Sequence, residues 1–314
     1  MSGAAVPVVQ SIGECMVELT RAGGDTARIS YAGDTYNTAI YFTRVATQLG
    51  TPHEVRYLSG VGDDPESHLM RARWEQGGLG DDSLVVPDGA PGMYLIDTDD
   101  EGERSFTYWR GDSAAAQLFA GQDWIGQVRG DLVYLSGITL QLMPPAVREA
   151  LVSRLQHLRA EGTRVAFDSN YRPLGWPSAA KAALAMADVL AVSDVALVTL
   201  DDEIALGAAH DLPSCAERLA TLGVAEMAIK VGAEGAWVGD VRDLVHVPIE
   251  PVVPVDTTAA GDSFNGGYLA ARLAGLDARQ AAHLGNAVAA RVVSERGAII
   301  APERMPRLGA GASL

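Results

Sequence analysis

The chain has 314 residues, 48% of them hydrophobic, with 34 glycines. That is enough for one large α/β domain with ample core and a small accessory element. A formal charge of −16 argues against nucleic acid or anionic membrane as partner, because phosphates would be repelled, but leaves room for a small anionic substrate held by local arginines.

In chain order, a strand is expected over residues 6–13, running into G-E-C-M-V-E-L. Residues 16–31 alternate weakly around R-A-G-G-D and read as a hairpin. At Asp34 the period becomes helical: Tyr36, Ala39, Ile40, Thr43 and Ala46 share one face, and Gly50 is the expected stop. A strand over 55–58 leads to V-G-D-D-P-E, where Asp64 fits an N-cap and Pro65 the first turn of a helix through Trp74. Residues 92–97 and 104–109 read as two short strands joined by the polar turn D-T-D-D-E-G. With the 16–31 hairpin they would make a small extra sheet.

From Asp131 the pattern alternates cleanly. Strands over 132–136, 164–168, 195–199 and 226–230 are separated by helices near 144–160, 178–188 and 212–222, which predicts a mostly parallel, doubly wound sheet. Gly232, Gly235 and Gly239 punctuate a following β-region. Two helices close the chain, over 260–274 and 277–293, the second with Ala282, Gly285, Ala289 and Val293 inward. There is no internal repeat or second core. The expected division is a main α/β domain over 1–15, 32–90 and 111–314, with a β-lid over 16–31 and 91–110.

Two cysteines, Cys15 and Cys215, give no disulfide framework or zinc spacing. No signal peptide is evident, and no apolar run reaches about 18 residues. A cytoplasmic protein is the expectation.

A parallel sheet binds ligands at the carboxyl ends of its strands. Asp168, Asn170 and Arg172 fall there, after T-R-V-A-F; Thr199, Asp202 and Glu203 follow A-L-V; Lys230 ends M-A-I-K. The stretch V-D-T-T-A-A-G-D-S-F-N-G-G-Y, from Val255 to Tyr268, is richer still. An apolar extended run (Val252, Val253, Val255) gives way to the small residues Ala259, Ala260 and Gly261, and then to apolar residues at helical spacing. A strand–turn–helix unit of this kind leaves backbone N–H groups free for an anion, and small side chains let a phosphate approach. Asp262 stands in the same first turn. It either offsets the helix dipole or acts as a general base beside a bound phosphate.

D-T-T-A-A-G-D resembles the signature of the ribokinase-like (PfkB) sugar kinases, usually written D-T-x-G-A-G-D. Ala259 stands where most of that family has Gly, and an Ala is expected to suit a helical first turn. A-G-D-T-Y-N-T-A, residues 32–39, resembles the family's Gly-x-x-x-x-Asn element, and K-V-G-A-E-G, residues 230–235, its K-x-G-x-x-G nucleotide loop. G-E-C-M-V-E-L, E-R-S-F-T-Y-W-R, Y-L-S-G-I, D-S-N-Y-R-P, L-D-D-E and R-G-A-I-I are similar to the 2-keto-3-deoxygluconate kinases within the family. A dinucleotide-binding dehydrogenase would need G-x-G-x-x-G after the first strand, and S-I-G-E-C-M-V lacks it.

The resemblance implies transfer of the γ-phosphoryl group of ATP to the 6-hydroxyl of the sugar acid, the alternative being another sugar kinase of the family, acting on fructose or on 2-keto-3-deoxygalactonate. Asp262 would be the base, and the amides of Ala259, Ala260, Gly261 and Asp262 an anion hole. It places Gly33, Asp34, Asn37, Tyr94, Tyr108, Arg110, Ile138, Asn170 and Arg172 at the sugar, with Arg110 and Arg172 suited to its carboxylate by their planar forks. Asp34 reads equally as a helix cap, and Arg110 as a lid-surface salt bridge. Lys230, Gly232 and Gly235 would border the nucleotide. Asn286 is either an adenine-side residue or a helix-packing one. Mg²⁺ would be held through phosphates and water, ordered by Glu203 with Asp202 nearby; Leu200 stands where the family often has Asn. Some relatives also require K⁺, a point the sequence leaves open. The exposed small sheet predicts a homodimer or an assembly of dimers through the lid.

Overall fold

The computed structural model describes residues 6–98 and 104–308; the expected turn after Thr98 lies outside them. Strand Leu132–Ser136 is buried along its whole length, as a strand covered on both faces must be. Alternate residues go to opposite cores. Leu132 and Tyr134 join Val9, Val55 and Tyr57 beneath the helices Asp34–Gln48, Ala260–Leu273 and Ala278–Val293. Val133 and Leu135 join Ile12, Phe167 and Val198 beneath Pro145–Ala160, Ala179–Leu190 and Leu212–Thr221.

The result is a three-layer α/β fold around a nine-stranded sheet. Across the sheet the strands run 243–247, 236–240, 226–230, 195–199, 164–168, 132–136, 8–12, 54–58 and 79–81. Neighbours are parallel from 226–230 onward, and the 236–247 hairpin adds antiparallel at one edge. From Val8–Ile12 the chain adds 54–58 on one side, then returns to build 132–136 and its successors on the other. That reversal opens a crevice at the carboxyl ends of 8–12 and 132–136, where open α/β sheets take their ligands.

A second, four-stranded sheet runs in the order 27–32, 16–21, 93–98, 104–109. One of its faces carries Met16, Ala32, Tyr94 and Ile96, which pack with Ala298 and Ala259, so this sheet adjoins the 259–262 corner. Among the described residues no helix is long and apolar enough to cross a membrane.

Glycines let the Ala260–Leu273 helix meet two neighbouring helices closely. A Cβ on Gly266 would lie 2.6 Å from Thr38 O and 2.7 Å from Phe42 N, and one on Gly267 would lie 3.1 Å from Gly285 Cα. Only a bare backbone fits there. This approach brings Asp262 within reach of the Asp34–Gln48 helix.

One expectation fails at 252–255. The segment is not a strand: it has no regular structure, and Val253 is 85% exposed. Pro251 and Pro254 have no N–H to give a ladder, so apolar composition alone does not make a strand here. Val255 N instead donates to Val293 O at 2.7 Å.

Candidate active site

The Ala260–Leu273 helix begins at the crevice. Its N-cap is Ala259, with φ 61° and ψ 17°. The expectation that Ala suits this position is therefore wrong: Ala259 precedes the helix and adopts the left-handed conformation, which is strained for a residue with a Cβ. Glycine there is expected to raise stability by about 0.5–1 kcal/mol in a urea melt while kcat changes less than about twofold; a loss of stability would mean that the Ala259 methyl contributes packing. The anion-hole set also needs amendment. Ala260 N donates to Thr257 O at 3.2 Å. Ala259, Gly261 and Asp262 have no backbone acceptor for their amides among the described residues, and residues 258–261 are half-buried.

Asp262 is 9% exposed and does not cap its own helix; its Oδ2 accepts from Asn37 Nδ2 of the neighbouring helix at 2.9 Å. Burial, reinforced by the negative charge of Asp34, pushes its carboxyl up to about 7, against the pull of Asn37 and Lys230. Desolvation thus outweighs the dipole of the helix start, which would lower it. A carboxyl poised near neutrality beside open amides is suited to accept a proton from a hydroxyl.

Around it lies a buried polar network. Lys230 Nζ contacts both oxygens of Asp168 at 3.2 Å and Asn265 Oδ1 at 3.1 Å. Asn265 Nδ2 donates to Asp168 Oδ2 at 2.6 Å and lies 3.2 Å from the Tyr134 hydroxyl. Thr38 Oγ1 stands 3.2 Å from both that hydroxyl and Asp262 O. Asp34 Oδ2 accepts from Asn170 Nδ2 at 2.9 Å, and burial raises its carboxyl too. Asp34 is not the helix cap; Gly33 holds that position, and a Cβ there would sit 2.1 Å from Glu14 O. Asn170, at φ 30°, takes a turn that Asn tolerates better than most residues.

The remaining predicted residues separate into engaged and open. Tyr94 is buried and its hydroxyl donates to Glu18 Oε2 at 2.5 Å; Tyr108, opposite it, is 52% exposed. Arg110 is no surface salt bridge, because its partner Glu14 is buried. Arg172 is exposed, with no carboxylate within 4 Å among the described residues. Ile138 is half-buried just past strand 132–136. Gly232 is open; Gly235 has φ 101° and abuts Val247 O, so both its conformation and its surroundings exclude a side chain. Asn286 Nδ2 donates to Val247 O at 2.9 Å and Pro248 O at 3.3 Å, which favours the packing alternative. Glu203 is fully buried, with Oε2 2.6 Å from Arg218 Nη1 and Oε1 without a hydrogen bond. Leu200 packs into the apolar cluster behind the sheet.

Sequence reasoning left Tyr134, Thr38 and Asn265 out of the site. Asn265, three residues after Asp262, and Thr38, four after Asp34, carried a signal, each on the same helical face as a predicted site residue; Tyr134 carried none.

A family model described as pfkB family carbohydrate kinase matches residues 8–304. The chain belongs to this family. It is similar to a 2-dehydro-3-deoxygluconokinase of Dickeya dadantii, 41% identical over 306 residues, covering 94% of this chain and 97% of the relative. The protein of that name from Escherichia coli K12 is 40% identical with the same coverage. Among solved structures, a putative ribokinase II from E. coli in complex with ATP and Mg²⁺ aligns with TM-score 0.76 and 25% identity, covering 96% of each chain. A fructokinase from Xylella fastidiosa with bound ATP aligns with TM-score 0.80 at 20% identity, again covering 96% of each, and supports the fold. In this carbohydrate kinase the crevice, the motif helix and Asp262 share one corner.

Proposed function

We propose that this kinase phosphorylates the 6-hydroxyl of 2-keto-3-deoxygluconate with ATP. The carrying observation is Asp262, a buried carboxyl near neutrality beside the open amides of Ala259, Gly261 and Asp262. Asn37 orients the carboxylate so that its other oxygen can take the proton of the 6-hydroxyl as the hydroxyl oxygen attacks the γ-phosphorus, the bond from that phosphorus to the β–γ bridging oxygen breaks, and ADP leaves. The amides hold negative charge on the transferred group, as an oxyanion hole does. Lys230, beside Gly261, adds positive charge at the same corner. The small sheet covers the sugar as a lid and keeps water from the phosphoryl group; the exposed Phe106, Tyr108 and Trp109 on it support its pairing with a second copy.

No group of three His, Cys, Asp or Glu side chains disposed to hold a metal exists among the described residues. The buried carboxylate of Glu203, paired with Arg218 and close to Ser169, would be the outer-sphere partner of a hydrated Mg²⁺ that arrives with the nucleotide. Such an ion would neutralise the β- and γ-phosphates.

Arg172 is the open cation for the substrate carboxylate. Arg172→Ala should raise KM for the keto-deoxy acid by the equivalent of about 1.5–3 kcal/mol, with little change for a carboxylate-free sugar; an equal loss with both would make Arg172 structural. The substrate itself is tested by an ADP-coupled panel. Highest kcat/KM is expected for 2-keto-3-deoxygluconate, and faster turnover of fructose would overturn the assignment.

A further inference from the structure

Glu14 stands where the chain leaves strand Val8–Ile12 for the small sheet, and every passage between the two sheets converges on it. The first passage is residue 14 itself. At the second, 32–33, its carbonyl oxygen lies 2.1 Å from where a Cβ on Gly33 would be. At the third, 91–92, its Oε1 lies 2.7 Å from where a Cβ on Gly92 would be, and Gly92 O accepts from Val17 N at 2.8 Å. At the fourth, 110–113, Oε1 accepts from Ser113 Oγ at 2.5 Å and Oε2 is in ionic contact with Arg110.

Glu14 is 3% exposed. Burial raises its carboxyl against the pull of Arg110 and Ser113, and a buried carboxylate of this kind needs its partners. Arg110 Nη2 is the group in contact with Glu14 Oε2, and Nε and Nη2 of Arg110 are both buried. Arg110 also lines a cavity of about 390 Å³ with Trp109 and Asp112. It thus stands between the buried Glu14 carboxylate and that space, which Asp112 also borders.

We propose that Glu14 is the positioning residue of the reaction: through Arg110 and Ser113 it fixes the small sheet over the phosphoryl-transfer corner and orients Arg110 toward the acid group of the substrate. The orientation of Arg110 rests on the sugar-acid reading above; the seating of the sheet does not.

The test is Glu14→Gln in the full chain, read by amide hydrogen exchange and steady-state kinetics. Exchange in 16–21 and 93–96 should rise about tenfold or more, as expected for loss of a charge-assisted contact, while 132–136 is unchanged. KM for the sugar acid should rise about tenfold with KM for ATP within twofold. Arg110→Met should add less than about twofold in the Glu14→Gln background, since both act through one contact. Uniform faster exchange in both sheets, or equal changes in both KM values, would overturn the proposal by making Glu14 merely structural; so would no change. If Glu14→Gln does not fold, Ser113→Ala, which removes the 2.5 Å bond together with the cap that Ser113 Oγ gives Ala116 N, decides by the same pattern at smaller amplitude, with faster exchange in 114–120 read as the lost cap. Localised exchange without a change in KM for the acid would keep the seating role and overturn the orientation of Arg110. If the panel instead shows a neutral sugar as substrate, the exchange result still judges the seating.

Discussion

Asp262→Asn is expected to lower kcat by at least about three orders of magnitude while the sugar's Kd, measured by calorimetry, changes little. The amide keeps an oxygen for Asn37 Nδ2 but cannot take a proton. The same change should stabilise the protein at alkaline pH. Because the folded carboxyl is raised from 3.8 to about 7, its favourable contribution is complete below about pH 4 and is lost as pH rises to about 7. Above that, the wild type holds an ionised carboxylate in a buried site, at a cost on the order of a few kcal/mol. The variant avoids it. Its melting temperature should exceed that of the wild type at pH 8 and match it near pH 4. Equal melting temperatures at both pH values would mean that the carboxyl is not perturbed by burial.

The second large effect is expected at Lys230. Its ammonium is the only cation that contacts Asp168 among the described residues, and the side chains are 10% and 3% exposed. Lys230→Met should cost about 3–5 kcal/mol, because it leaves a buried carboxylate without its counter-charge. Adding Asp168→Asn should restore most of that loss, since the pair then becomes neutral together. The single variant should also move the rise of kcat/KM to higher pH, because Lys230 holds the Asp262 carboxyl down. Asp34, Asp168 and Tyr134 also face this carboxyl, so removing the one positive charge among them has a clear sign. Loss of stability without rescue by Asp168→Asn would show that Lys230 acts through its alkyl chain.

The sheet was legible in the sequence because strands such as Leu132–Ser136 and Val195–Thr199 are buried on both faces and so read as short apolar runs between helical periods. Caps were legible for a local reason: Asp64 accepts from Glu66 N and Ser67 N only two and three residues away. The motif corner could be located but not its conformation. The alanine at 259 hides the positive φ that the Gly usual at that place in the family pattern would have signalled, and the valines at 252–255 imitate a strand that two prolines prevent. Tyr134 and Glu14 were hidden for a different reason. Tyr134 looks like any apolar strand residue, and its partner Asn265 is 131 positions away. Glu14 meets Ser113 across 99 positions. Such groups acquire their chemistry only when the crevice closes around them.

The most direct test of the whole account is a ¹³C-carboxyl NMR titration of Asp262 in the free enzyme, set beside the pH dependence of kcat/KM. The account predicts an apparent midpoint near 7 that coincides with the rise in kcat/KM, a resonance absent from Asp262→Asn. A midpoint in the ordinary carboxylate range near 4, with kcat/KM still rising near 7, would assign the proton transfer to another group.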